Sequence, residues 1–483
     1  MKKIYSIAIL LCSLWMTGWT QVHRDQAPKP GPAPQLHIGS PASFTLANGV
    51  QVFVVENHKV PKITVSLVLQ RDPVLEKDKA GYVNIAGVMM RRGTTTRSKS
   101  QLDEEIDFLG GSLGTTSTGA SASCLTSKFD SLFAIFSDVV LHPSFPDSEL
   151  TKVKRQVLSA LQAAKDDPQS ISANVTAVVN FGSDHPYGEV ETPETVQAID
   201  VTDLRNYYNT YWRPNIAYMA FVGDITPERA RALTEKYLSG WKSAPVPAHH
   251  YPVPQEPAHT RVTIVDRPAA VQTNVTITTP IVLKPGQPDN FPVKVMNQVL
   301  GGGMSGRLFQ DLREKYGFTY GAYSTVTTDP LVGRFSAMAD VRTAVTDSAL
   351  MRFFYELRLI RDEQVSRLKL DSVKNQISGD FALALERPSL IAQFALNIAR
   401  YHMPKDYYTN YLQSIAQVTV PEVQRVARKY IDPDRTNIVL VGNSRAFADK
   451  VTSFGPLQYV DIYGHPVAPP GAQPSGTHRM APH

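Results

Sequence analysis

The sequence predicts an α+β protein built of two homologous lobes, each a mixed, mostly antiparallel sheet with helices on one side. Three observations carry this. The chain has 483 residues, 42% of them hydrophobic, more than one ordinary domain core accommodates. A Pro-rich stretch from Ser243 to Pro257 (SAPVPAHHYPVPQEP) divides it into halves of nearly equal length. The halves also repeat each other: Val222-Gly-Asp224 follows Tyr211-Trp-Arg-Pro214 as Val441-Gly-Asn443 follows Tyr430-Ile-Asp-Pro433, at a constant offset of 219 positions. A period near 200 marks a duplicated domain rather than a solenoid.

In chain order, residues 1–20 carry Lys2 and Lys3, an apolar run from Ile4 through Trp15 and small residues at Thr17, Gly18 and Thr20, the pattern of a cleaved export signal. Residues 21–41 form a flexible Pro-rich lead-in. The N-terminal lobe, 42–242, reads as two strands, a helix from Val83 to Met90, two more strands including Ser121 to Thr126, further helices, and a last strand from Ile216 to Val222. Its helix Val201 to Tyr211 ends before Pro214. After the linker, 243–258, the C-terminal lobe, 259–450, repeats that order. The strand around Val265 and the helix Val293 to Leu300 lie 210 positions beyond their counterparts, and helix Val420 to Tyr430 precedes strand Ile438 to Val441. The tail, 451–483, is expected to be disordered from about 467.

A formal charge of +5 with no block of like charge points to neither nucleic acid nor an anionic membrane surface. No stretch after the leader approaches about 18 uninterrupted apolar residues, so no integral membrane segment is expected. With Cys12 in the leader, Cys124 is the one cysteine of the mature chain and cannot form an internal disulfide. An exported chain without disulfides, led by Met-Lys-Lys, fits a bacterial periplasm. A lipid anchor on Cys12 is the minor alternative, opposed by the bulky Leu11 and by an apolar run that continues to Met16.

Gly81 to Thr94 (GYVNIAGVMMRRGT) has the frame of a metallopeptidase helix without its chemistry. In an inverted zinc motif, H-x-x-E-H, helical positions i, i+3 and i+4 share one face, so two imidazoles hold zinc and a carboxylate activates water. Those positions are Asn84, Gly87 and Val88 here. An Asn amide is a poor zinc ligand, and Gly and Val supply neither ligand nor base. The frame of Gly81, Met89, Met90 and Arg92-Gly93-Thr94, with the rest of the chain from Phe44 to Tyr463, resembles the insulinase/pitrilysin family of zinc peptidases.

The resemblance implies lobes that enclose a peptide-binding clamshell chamber, of which this chain would form half. It also implies a third zinc ligand, a Glu, in the stretch that reads here Val157-Leu-Ser159-Ala160-Leu161 before Asp166-Asp167-Pro168. Ser159 and Ala160 hold the positions concerned, so no metal cofactor is expected in this chain. By contrast, Leu300 to Tyr320 (LGGGMSGRLFQDLREKYGFTY) is similar to the family's second signature, in which an Arg late on a helix and a Tyr seven residues later face the zinc from the opposing lobe. Arg313 and Tyr320 have that spacing, with Gly317 placed to end the helix in a left-handed conformation. Such donors stabilise the charge that develops on a carbonyl oxygen during amide hydrolysis, and a guanidinium fork also fits a carboxylate.

Gly301, Gly302 and Gly303 lack the Gly-Lys-Ser/Thr ending of a phosphate loop and read as a helix break whose backbone can approach a peptide. His249 and His250 are expected to be solvated in the linker, and His185 to shape a turn in His-Pro-Tyr-Gly. There is no Gly-x-Ser-x-Gly elbow, and Cys124 lies on an apolar-alternating strand as a core residue.

In the two-chain branch of the family, one subunit carries H-x-x-E-H while the other lacks it and supplies the Arg/Tyr pair. The resemblance therefore implies a non-catalytic subunit that binds peptide substrate and assists the transition state in a heteromeric zinc metallopeptidase. Zinc would then reside in a zinc-bearing paralogue, the partner in a heterodimer. The alternative is a catalytically inert peptide-binding or structural scaffold of the cell envelope.

Overall fold

The computed structural model describes residues 41–471. Residues 1–40, where an export leader and the Pro-rich lead-in are expected, and residues 472–483 lie outside the described residues. The first sheet contains β1 (Ala42–Thr45), β2 (Gln51–Glu56), β3 (Lys62–Leu69), β4 (Ser112–Thr116), β5 (Gly119–Leu125) and β6 (Ala217–Gly223) in the order β1-β2-β6-β3-β5-β4. The second contains β7 (Arg261–Asp266), β8 (Gln272–Ile281), β9 (Thr319–Thr327), β10 (Gly333–Arg342), β11 (Asn437–Gly442) and β12 (Leu457–Tyr459) in the order β12-β7-β11-β8-β10-β9. The pairs β2/β6, β7/β11 and β7/β12 are parallel and the rest antiparallel, the mixed arrangement expected of each lobe.

Alternation along β3 sends Ile63, Val65, Leu67 and Leu69 to one face, where helix Phe129–Leu141 packs Phe129, Phe133 and Phe136 against them and Phe221. The second lobe repeats this with Val275, Ile277, Phe335 and Ala337 beneath Phe353 and Leu357 of helix Thr346–Asp362. Cys124 is buried in the first core as an unpaired thiol.

The opposite faces are covered in a way the sequence reading did not anticipate. Helix Pro168–Phe181 of the first half lays Ile171 and Val175 on Val265, Val439 and Val441 of the second sheet. Helix Pro388–Arg400 of the second half lays Ala392 and Leu396 on Val55, Tyr218 and Ala220 of the first. The two halves thus exchange equivalent helices, each opened by a Pro in its first turn. Polar contacts lock the exchange: Asn180 Nδ2 donates to Thr278 Oγ1 (2.9 Å), Asn437 Nδ2 donates to Asn180 Oδ1 (3.0 Å), and Arg400 Nε donates to Gln70 Oε1 (3.1 Å). Burial on both faces explains why β6 and β11 are unbroken apolar runs rather than alternating strands.

Because each half buries a helix of the other, the protein is expected to melt in one calorimetric transition. Ile171→Ala should cost about 2–5 kcal/mol, the range for truncating a buried aliphatic side chain to Ala, and lower that single transition without splitting it.

The linker is also tied down. His249 donates its backbone N–H to Asp72 Oδ2 (2.9 Å), and its Nε2 lies 2.7 Å from Tyr211 Oη. Tyr251 Oη donates to the Pro73 carbonyl (3.0 Å) and accepts the Leu75 N–H (3.2 Å). His249 is therefore half-buried rather than solvated as expected, because its ring stacks on Tyr251 and meets Tyr211 at a tilt. His250 is exposed.

Candidate functional site: an emptied metal helix and an Arg/Tyr turn

Helix Tyr82–Met89 begins at Gly81, whose φ of +105° requires glycine. Its first turn is capped by Glu76, whose Oε2 accepts the N–H groups of Gly81 and Val83, each at 2.9 Å. Burial pushes the Glu76 carboxyl up to about 7; the two N–H donors oppose the rise, and the charges of Glu189 and Glu191 add to it.

The folded state therefore binds the Glu76 proton more tightly than the unfolded chain does. The associated stability is fully present below about 4.5 and is lost as pH rises through about 7, amounting to at most roughly 3 kcal/mol. Urea unfolding at pH 5 and pH 8 should show a smaller pH difference for Glu76→Gln than for the unaltered protein.

On this helix Asn84 and Val88 face outward, Val88 being 42% exposed, whereas Gly87 is buried. A Cβ at position 87 would stand 2.2 Å from the Ser117 nitrogen and 2.3 Å from the Thr116 carbonyl carbon, in the turn joining β4 to β5. The hairpin backbone fills the room a catalytic Glu would need. Ser159 and Ala160 lie on the exposed side of helix Asp147–Ala164 and add no ligand. Among the described residues no three His, Cys, Asp or Glu side chains come together as a metal site. These positions do not fit zinc.

The second lobe differs. After the short helix Arg307–Phe309 the chain widens into a π-turn over Gln310–Lys315, where the Tyr316 N–H reaches the Asp311 carbonyl (3.1 Å). Gly317 then adopts φ +61°, the left-handed exit expected of it. The π-turn is anchored by Arg352, which donates through Nε and Nη2 to the two Asp311 oxygens (2.6 and 3.0 Å) and stacks on Tyr316 and Tyr355. Arg313 lies over the Phe309 ring at 4.8 Å, and its one carboxylate neighbour among the described residues is Glu314, at 3.5 Å.

Tyr320 lies where the β9/β10 register slips: Ala322 pairs with Ala339 and Thr319 with Val341, so Tyr320 and Gly321 together oppose Asp340. This β-bulge turns Tyr320 out of the sheet, and it is 86% exposed. Thr319 Oγ1 holds the bulge by accepting the Gly321 N–H (3.1 Å) and donating to the Gly321 carbonyl (3.0 Å). No hydrogen bond joins Arg313 to Tyr320 among the described residues. Each is presented by a separate irregularity of a kind found often at functional sites.

The Gly run has a more local role than expected. Gly301 is buried under β9, where a Cβ would stand 2.5 Å from the Ser324 nitrogen, and its carbonyl accepts the Ser324 N–H (2.9 Å). It lets the strand bearing Tyr320 lie against the helix end. Gly302 lines a cavity of about 630 Å³ with Lys294, Asn297 and Tyr411, whereas a Cβ at Gly303 would meet nothing nearer than 3.6 Å.

Tyr320 lies in a groove of about 500 Å³ over the outer face of β8, β10 and β9. One wall is the exchanged helix of the first half, through Gln169, Ser172 and Thr176. Asp340, opposite the bulge, accepts Asn274 Nδ2 (2.7 Å) and Gln169 Nε2 (3.1 Å). Sequence reasoning missed Gln169, Asp340 and the Asp311–Arg352 anchor, because each depends on a contact between residues distant in the chain. His185 does shape its turn: its Nδ1 accepts the Tyr187 N–H (3.1 Å), and its ring stacks on Phe181.

Two six-stranded lobes, one with the frame of a metal helix and the other with the Arg/Tyr turn, define a peptidase-like protein of paired lobes. Residues 51–181 match the family model described as insulinase (peptidase family M16), and residues 198–377 match the peptidase M16 inactive domain. The chain belongs to the insulinase family. An uncharacterized zinc protease of Bacillus subtilis is 23% identical over 351 residues, covering 71% of this chain and 84% of that protein. One of Mycobacterium leprae is 25% identical over 370 residues, covering 73% and 80%. The solved structure of a peptidase M16 inactive domain from Pseudomonas fluorescens has a TM-score of 0.76 at 22% identity, covering 83% of this chain and 98% of its own. A protease from Helicobacter pylori has a TM-score of 0.74 at 20% identity, covering 83% and 99%.

Proposed function

We propose that this chain is the non-catalytic subunit of a heteromeric zinc metallopeptidase of the cell envelope. It binds peptide substrate and assists the transition state at a zinc site held by an H-x-x-E-H paralogue. The observation that carries the reading is a contrast within one molecule: at Gly87 the hairpin backbone fills the room for the general base, while Arg313 and Tyr320 remain presented to solvent. In the assembled pair the Tyr320 phenol and the Arg313 guanidinium donate to the substrate carbonyl oxygen as charge develops on it, in a chamber from which water is excluded.

A catalytically inert peptide-binding scaffold would share the groove but give these two side chains no kinetic role. The purified chain alone is expected to bind no stoichiometric zinc by atomic spectroscopy and to cleave none of a set of unstructured peptides. Metal-dependent cleavage by this chain on its own would refute the assignment.

A further inference from the structure

The groove beside Tyr320 has a charged end that the reading above leaves unused. Arg334, Ser336, Met338 and Asp340 lie on one face of β10 and all line the groove. Asp340 is opposite the Tyr320–Gly321 bulge, and Arg334, six positions earlier, is opposite Thr327 and Pro280. At the rise of an extended strand that is about 20 Å from the Tyr320 end.

The two charged residues differ in their surroundings. Asp340 is satisfied by the amides of Asn274 and Gln169. Arg334 is half-buried, and its guanidinium has no hydrogen-bond or ion-pair acceptor among the described residues. A guanidinium fork that is partly removed from water and holds no acceptor is open to an incoming carboxylate, which it matches with two parallel N–H donors. Partway along the same groove, Thr176 is 3% exposed and its Oγ1 has no partner. Met338 and Tyr323 add apolar surface between the two ends. The dimensions and chemistry are those of a trough for an extended peptide anchored by an anion.

We propose that Arg334 is a specificity-determining residue that binds a peptide carboxylate, from an acidic side chain or the C-terminus, about six residues from the backbone carbonyl presented to Tyr320. The position of that carbonyl rests on the function proposed above; the carboxylate subsite does not.

The test is fluorescence anisotropy of the purified full chain with three labelled ten-residue peptides of one parent sequence. One has an interior Glu and an amidated end, one has Gln there and a free C-terminal carboxylate, and one has Gln and an amidated end. At least one carboxylate peptide is expected to bind about tenfold more tightly than the neutral peptide, and which one does so identifies the source of the anion. Arg334→Gln should abolish the preference and Arg334→Lys retain part of it. The melting temperature of Arg334→Gln should stay close to that of the unaltered protein, because the guanidinium makes no hydrogen bond or ion pair among the described residues. Equal binding of all three peptides, or a preference that survives Arg334→Gln, would overturn the proposal. No partner and no cleavage enter this measurement, so its outcome is separate from that of the Tyr320 kinetics.

Discussion

Restoring the zinc motif with Asn84→His, Gly87→Glu and Val88→His is expected to give a destabilised chain that binds no zinc. The three substitutions are unequal. Asn84 and Val88 face outward, so histidines there should change stability by no more than about 0.5 kcal/mol each. Position 87 faces the β4–β5 turn, with the Ser117 nitrogen 2.2 Å and the Thr116 carbonyl oxygen 2.8 Å from where a Cβ would be. Backbone cannot move aside as the end of a flexible side chain can. Overpacking of this kind costs about 1–3 kcal/mol even for small insertions, and a buried Glu adds the desolvation of its carboxylate. Gly87→Glu alone should therefore lower the melting temperature by several degrees, Gly87→Ala by less, and the His pair hardly at all. A triple variant that melts like the unaltered protein and binds one zinc would show that the hairpin yields, and that loss of the site is only a matter of side chains.

The second large effect concerns Tyr320 and Arg313 in an assembled pair. Tyr320→Phe removes one hydroxyl from a side chain that is 86% exposed, and Arg313→Ala removes a guanidinium whose sole carboxylate neighbour among the described residues is Glu314. Neither should move the melting temperature of the isolated chain by more than about 0.5 kcal/mol equivalent. Loss of one oxyanion donor commonly costs about 10²–10³ in kcat, so Tyr320→Phe should lower kcat by a factor in that range with little change in KM. Arg313→Ala should lower kcat as well, and it should raise KM if the guanidinium also holds the ground-state peptide. A loss of melting temperature without a kinetic effect would instead assign both residues to packing.

Much of the architecture can be read from the residues. The repeated Pro-ended helices before Val222-Gly-Asp224 and Val441-Gly-Asn443 mark the duplication, and Asn84, Gly87 and Val88 mark helix positions that offer no zinc ligand. The spacing from Arg313 to Tyr320 marks the turn that carries them, and Gly317 has the positive φ expected of it.

What is not legible depends on contacts between distant segments. The apolar stripe of Ile171 and Val175 requires a partner surface, but nothing local shows that this surface belongs to the other half of the chain. The unbroken runs of β6 and β11 imply burial on both faces without naming what covers them. A lone Gly87 reads as a missing carboxylate, and only the position of the β4–β5 turn reveals that the space is filled. The π-turn and the bulge have no periodic signature, and Arg334 reads as an ordinary strand residue until its lack of an acceptor is seen.

The most direct test of the division of labour is to titrate this chain into a zinc-bearing H-x-x-E-H relative at fixed concentration, recording peptide cleavage, bound zinc and complex formation together. The expected result is one zinc per pair and a cleavage rate that rises to a plateau at equimolar chain. The Arg313→Ala/Tyr320→Phe double variant should form the complex equally well yet leave the rate at least about a hundredfold lower. If the double variant accelerates cleavage as well as the unaltered chain, Arg313 and Tyr320 do not act at the partner's zinc, and the central claim fails.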